Sequence, residues 1–112
     1  MKDITIPVVA QLAAYNQRDI EAFIKNFDAD CVIEDGQGNV IERGRYFIYA
    51  MYQKLFEDSP NLHCNLVSRI VLNEYVIDEE RVTGRAGSTG ETHVVAVYKV
   101  EDDLIKHVRF LK

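Results

Sequence analysis

Apolar residues at Val8, Leu12 and Tyr15 recur at i, i+4 and i+7, which predicts a first helix with one apolar face. Thr5 is placed to cap it, and Pro7 is tolerated in the first turn, where a missing N–H leaves no hydrogen bond unmade. Asn16, Gln17 and Arg18 break the pattern. Asp19 then caps a second helix, whose Ile20, Phe23, Ile24 and Phe27 follow at i, i+3, i+4 and i+7 as a core stripe. Residues 31–35 read as a strand and 40–42 as its short partner, joined by Gly36-Gln37-Gly38-Asn39, where glycine is free to take positive φ. A third helix is predicted over 45–57, ending ahead of Ser59-Pro60 because the residue before a proline is pushed out of the helical region. Tyr46, Phe47, Ile48, Tyr49, Ala50, Met51, Tyr52, Leu55 and Phe56 make that helix apolar almost all round. Such a helix is expected to be covered on more than one side, one against a sheet and another lining a cavity.

The second half is strand-like throughout, over 62–72, 75–85, 93–100 and 104–111. Turns fall at Asn73-Glu74 and Glu101-Asp102-Asp103, and Gly84, Gly87 and Gly90 loosen the connection between them. Helices followed by a meander of long antiparallel strands is an α+β layout, with helices on one face of a curved sheet. The strand at 93–100 is apolar on both faces, with Val94, Ala96, Tyr98 and Val100 on one and Val95 and Val97 on the other. The helices cover one face, and a second subunit would cover the other.

Composition narrows the partners. A chain of 112 residues is expected to form one domain, 1–112, with a core that needs no metal or disulfide staple. A net charge of -5 argues against nucleic acid or an anionic membrane, and no basic run interleaved with aromatics offsets it. Cys31 and Cys64 have no metal-ligand spacing and read as buried free thiols. The opening run MKDITIPVVAQLAAYNQRD lacks a leader-like apolar core, and no apolar stretch is long enough to span a bilayer. A cytoplasmic location is therefore expected, with no membrane association and no cofactor.

The runs YNQRDIEAF, FDADCVIEDGQG, ERGRYFI and VVAVYKVEDDLIKHVRFL, in that order, resemble the nuclear transport factor 2-like superfamily. Within it the likeness is to the SnoaL-like and steroid Δ-isomerase-like branch, over essentially the whole chain. The resemblance implies a cone-shaped α+β fold: a strongly curved antiparallel sheet wrapping three helices from the N-terminal half. It also implies an internal pocket at the wide end and a homodimer through the outer sheet face. The superfamily holds isomerases, cyclases, dehydratases, epoxide hydrolases and members that only bind or assemble, so the fold leaves the activity open.

Asp35 is the sharpest candidate. Glu34-Asp35-Gly36-Gln37-Gly38 matches the setting in which the resemblance implies a general base, and a partly desolvated carboxylate there would move a proton next to a carbonyl. The other reading makes Asp35 a turn residue that accepts backbone N–H bonds. The isomerases also need donors for an enolate oxygen, and the two positions that the resemblance assigns to them carry Gln11 and Ala96 here. Tyr15, Tyr46, Tyr49, Tyr52 and Tyr98, with Phe56 and Phe110, are candidate walls of an apolar pocket dotted with hydroxyls, although each is also an ordinary core aromatic.

Of the histidines, strand parity turns His93 and His107 away from the pocket, His93 toward a subunit interface, and leaves His63 as the candidate that could pair with Asp35. No metal site is expected, since the three His and two Cys have no close spacing. Asp78-Glu79-Glu80 reads as a solvated strand segment or a bulge. The expectation is an apolar pocket for a small hydrophobic organic molecule, with isomerase- or hydratase-like acid–base chemistry through Asp35. The alternative is a non-catalytic ligand-binding or dimeric assembly module.

Overall fold

The computed structural model describes residues 3–112, so Met1 and Lys2 of the opening run lie outside the described residues. In chain order the elements are α1 (Ile6–Gln17), α2 (Ile20–Ile24), β1 (Phe27–Glu34), β2 (Val40–Arg43) and α3 (Arg45–Asp58). They are followed by β3 (His63–Leu72), β4 (Tyr75–Thr83), β5 (Thr92–Glu101) and β6 (Leu104–Leu111). All six strands form one sheet in the order β2-β1-β6-β5-β4-β3. The expected α+β architecture is present, and its meander runs antiparallel from β3 to β6. One junction differs from a wholly antiparallel sheet: β1 lies parallel to β6, with Ile33 opposite Val108, so the sheet is mixed. Among the described residues, no helix is long and apolar enough to cross a membrane.

The caps divide in their chemistry. Asp19 caps α2 as its sequence setting requires, its Oδ1 accepting the Ala22 N–H at 3.1 Å. Thr5 does not cap α1, because its own backbone is already helical. Its hydroxyl instead donates to Asp3 Oδ1 at 2.7 Å, and its N–H donates to the same oxygen at 2.9 Å. Arg18, in the left-handed region, ends α1 and donates its N–H back to the Tyr15 carbonyl.

The helices meet the sheet through aromatic rings. Phe23 of α2 lies 4.6 Å from Tyr52, 4.9 Å from Phe27 and 5.5 Å from Phe56, centroid to centroid, and Tyr15 reaches Phe56 at 5.5 Å. Burying rings of this size in tilted and edge-on contact supplies much of the core's apolar area. From the sheet side, Ile33, Val76, Ala96, Tyr98, Val100, Ile105 and Val108 close the same cluster.

α3 buries a single stripe, Ile48, Tyr52 and Phe56, rather than several sides. Tyr46 is 79% exposed and Phe47 is 56% exposed, which corrects the expectation of an all-round covered helix. The edge strand β3 buries only Cys64 and leaves Leu66, Val67, Ile70, Val71 and Leu72 exposed.

Gly84 ends β4 where the chain passes close to the turn after α3. Its φ is 75°, and a Cβ there would run into the Asn61 carbonyl. Gly84→Ala is expected to cost about 2 kcal/mol or more, combining left-handed strain with displaced backbone. Gly87→Ala, at φ 80° with open space around it, carries the strain alone and should cost about 1 kcal/mol. Urea midpoints of the two variants check the difference.

Candidate functional site

α1, α3 and the concave face of the sheet do not fill the whole interior. Between them lies a cavity of about 260 Å³. Leu12 and Tyr15 of α1 and Met51, Tyr52 and Leu55 of α3 form one wall. Ile33, Ile41, Val82, Val94 and Phe110 of the strands form the other. α1 buries Val8, Gln11 and Ala14 and offers Gln11, Leu12 and Tyr15 to this space.

The polar groups in this apolar space are few and specific. Gln11 uses both hydrogens of its amide: Nε2 donates to the Val8 carbonyl at 3.1 Å and to the Tyr98 hydroxyl at 3.1 Å. A phenol that accepts one hydrogen bond still carries a proton to donate. Burial raises the Tyr98 pKa well above that of an ordinary phenol, so this hydroxyl stays protonated. Tyr15 and Tyr52 are shifted upward for the same reason.

Glu80 is the carboxyl of the cavity. It is 5% exposed, on the inward row of β4 with Val76 and Asp78. Its pKa is pushed up to about 7, first by burial and then by the negative charge of Asp78, against the opposing pull of the Cys64 thiol and of Arg69. Asp78 is buried beside it but paired: Arg69 Nε donates to Oδ1 at 2.7 Å and Nη2 to Oδ2 at 2.9 Å, a bidentate fork across β3 and β4. Cys64 also lines the cavity, and burial raises its thiol pKa, so it is no ready nucleophile.

The expected site residues separate into two groups. Tyr15, Tyr52, Tyr98 and Phe110 line the cavity. Phe56 sits in the aromatic core beside it. Tyr46 points to solvent, and Tyr49 donates to Glu21 Oε1 at 2.6 Å on the outer surface; neither touches the cavity. His63 is exposed and 3.1 Å from Asn65 Oδ1, so it has no access to Asp35 or the pocket. His93 lies 2.7 Å from Glu79 and His107 lies 2.9 Å from Glu34, both away from the cavity.

Asp35 is held by its hairpin. Its carboxylate accepts the N–H groups of Asn39 and Gln37, each at 2.9 Å, and the Asn39 side-chain amide at 3.2 Å. These bonds, led by the Asn39 N–H, lower its pKa, the opposite of what a general base near neutrality needs. It borders a second depression, which shares Ile41, Phe110 and Lys112 with the cavity. Glu34, its neighbour, turns to the other side of the strand and accepts from Arg109 at 2.9 Å.

Asp78 and Glu80 are not solvated, which corrects the reading of that acidic run. Parity along β4 carried the signal: Val76, Asp78, Glu80 and Val82 share one face, and two apolar ends mark it as inward. Glu79, between them, faces out, where it bonds Ser68 and His93. Among the described residues, no group of three or more His, Cys, Asp or Glu is placed to hold a metal ion.

The model of the SnoaL-like domain family matches residues 8–108. No curated protein matches the chain. An uncharacterised cystatin-fold protein from Novosphingobium aromaticivorans is 25% identical and superposes with a TM-score of 0.91, covering 100% of both chains. A nuclear transport factor 2-like protein of unknown function from Cytophaga hutchinsonii is 11% identical, with a TM-score of 0.80 over 98% of this chain and 89% of that one. An LEH-like epoxide hydrolase of M. tuberculosis is 18% identical, with a TM-score of 0.83 over 96% of this chain and 80% of its own. The cone is the fold that these proteins share.

The buried carboxyl sets a pH dependence. Folding moves Glu80 from an ordinary 4.5 to about 7, so between those values the native state holds a proton that the unfolded chain has released. Stability therefore falls as pH rises through that window and stays lower above it. Glu80→Gln keeps a neutral group of the same shape. It should match the parent near about pH 4.5 and exceed it at about pH 8 by on the order of 3 kcal/mol. Urea titrations at both pH values give this difference, and equal stabilities at about pH 8 would contradict the buried carboxylate.

Proposed function

Because this chain belongs to the SnoaL-like domain family, we propose that its cavity binds a small, largely apolar organic molecule and moves a proton on it through Glu80. The observation that carries this reading is one carboxyl, desolvated inside an apolar cavity and poised at about 7. A base near the working pH is both available as carboxylate and strong enough to take a proton.

The chemistry that fits is a proton shift next to a carbonyl. The ligand's carbonyl oxygen accepts a hydrogen bond from the Tyr98 hydroxyl, which keeps its proton, and Glu80 removes a proton from the adjacent carbon. The C–H electron pair forms the new C=C bond as charge develops on oxygen. Glu80 then returns the proton at another carbon, and no further reactant is consumed. Gln11 is a positioning residue: it holds the phenol oxygen, so the phenol's own proton is left for the ligand. The Gln11–Tyr98 pair thereby supplies the donor that Gln11 alone, or Ala96, would not. The acid–base role expected of Asp35 passes to Glu80, because the Asp35 oxygens are already engaged with Gln37 and Asn39.

The test is α-proton exchange followed by NMR in deuterated buffer, with a panel of small cyclic ketones and enones first ranked by thermal shift. Glu80→Gln should slow exchange by about 100-fold or more with ligand binding kept. Tyr98→Phe should slow it by a comparable factor. Binding with no exchange above background in the parent chain would leave a ligand-binding module, and exchange unchanged in Glu80→Gln would overturn the role given to Glu80. Absence of any ligand-induced shift across the panel would overturn the reading altogether.

A further inference from the structure

The charged groups of the cavity are distributed unevenly between its depth and its mouth. Glu80 lies inside, 5% exposed. At the opening the charged lining residues are Arg85, in the loop between β4 and β5, and Lys112 after β6, both solvent-exposed. Two cations at one mouth are notable in a chain whose net charge is -5.

Arg85 differs from every other arginine but Arg43, which does not line the cavity. Arg69, Arg81 and Arg109 each donate to a carboxylate, and Arg18 and Arg45 donate to backbone carbonyls. The Arg85 guanidinium meets no such acceptor among the described residues. Its charge nevertheless reaches inward, opposing the upward shifts of Tyr15 and Tyr52. The loop that carries it is anchored, since Ala86 N–H donates to Ser59 Oγ at 2.9 Å and Ser88 N–H to the Arg85 carbonyl at 3.1 Å. The hydroxyls of Ser88 and Thr92 line the same mouth.

We propose that the ligand is an amphipathic acid: a small apolar body within the cavity and a carboxylate, or a similar anion, held at the mouth by Arg85 and Lys112. This rests on the reading of the cavity as a small-molecule site and deepens it to a ligand class. The polarity of the site fixes the orientation. An anion placed beside Glu80 would be repelled once that group is ionised, and it would lose its hydration among apolar walls. At the mouth the same anion keeps water on one side and gains charge-assisted hydrogen bonds from a guanidinium with no other acceptor. The cavity, at about 260 Å³, lies below the roughly 300–1,000 Å³ usual for drug-sized ligands, so the apolar body is small.

Matched pairs test this: small arylalkanoic and cycloalkanecarboxylic acids, each against its own primary amide, titrated calorimetrically into the intact chain. The acid should bind about tenfold tighter than its amide at low salt, with the gap narrowing as salt is added. Replacing both Arg85→Gln and Lys112→Gln should bring the acid down to the affinity of the amide and leave the amide unchanged. Both changes are on exposed side chains, so folding is not at stake. Equal binding of acid and amide, or equal losses in the variant, would overturn the anionic end and leave the cavity reading standing. Binding of neither would remove both.

Discussion

Phe23 is the residue on which the three helices and the sheet agree. It sits on a helix of five residues, too short to be stable by itself, and contacts rings from α3 and β1 as well as Tyr15 from α1. α2 therefore exists because Asp19 caps its start and Phe23 is gripped at its end. The same ring fixes how far α1 and α3 stand from the sheet. The aromatic cluster fills one part of the interior, and two of its rings, Tyr15 and Tyr52, also form part of the cavity wall. The cavity is the space beside that cluster which its packing does not reach.

The two inward carboxyls of β4 behave differently, although they share one strand face and stand two residues apart. Asp78 has a guanidinium fork across the strand pair, so its charge is compensated in place. Glu80 lies opposite Leu66 on one side and Val94 on the other, and neither offers a donor. Buried without a cation of its own, it holds its proton to higher pH. The pair also makes Arg69–Asp78 part of the site's electrostatics without touching a ligand, since the Asp78 charge contributes to the Glu80 shift.

Periodicity was enough for the elements and the antiparallel meander, but not for the parallel contact of β1 with β6. Spacings of three and four residues placed the helices, period-two runs placed β3 to β6, and the left-handed turns at Asn73 and Asp102-Asp103 fall where the polar breaks are. Tyr15, Tyr52, Tyr98 and Phe110, singled out by residue type rather than by spacing, do lie along the cavity. The acid was not. A run of three acidic residues suggests solvent when read as composition, and only alternation along the strand reveals that its first and third members turn inward. Asp35 misleads in the opposite way: an aspartate before Gly-x-Gly suits a base and a turn equally, and the choice depends on whether nearby N–H groups reach its oxygens, which spacing alone does not disclose. Tyr46 and Tyr49 show a third limit, since an aromatic-rich helix can bury one stripe and leave the rest in water.

The parallel contact between β1 and β6 has a bearing on how the chain reaches this state. β6 is the last of the six strands in chain order, yet it lies inside the sheet between β1 and β5. Before it docks, β1 and β2 form one ribbon and β3 to β5 another, with no strand joining them. Closing the sheet joins residues such as Ile33 and Val108, and that loop closure costs entropy before the core is complete. A chain without β6 in place would therefore present two further open sheet edges, at β1 and β5, which makes docking of this eight-residue strand the step that closes the sheet.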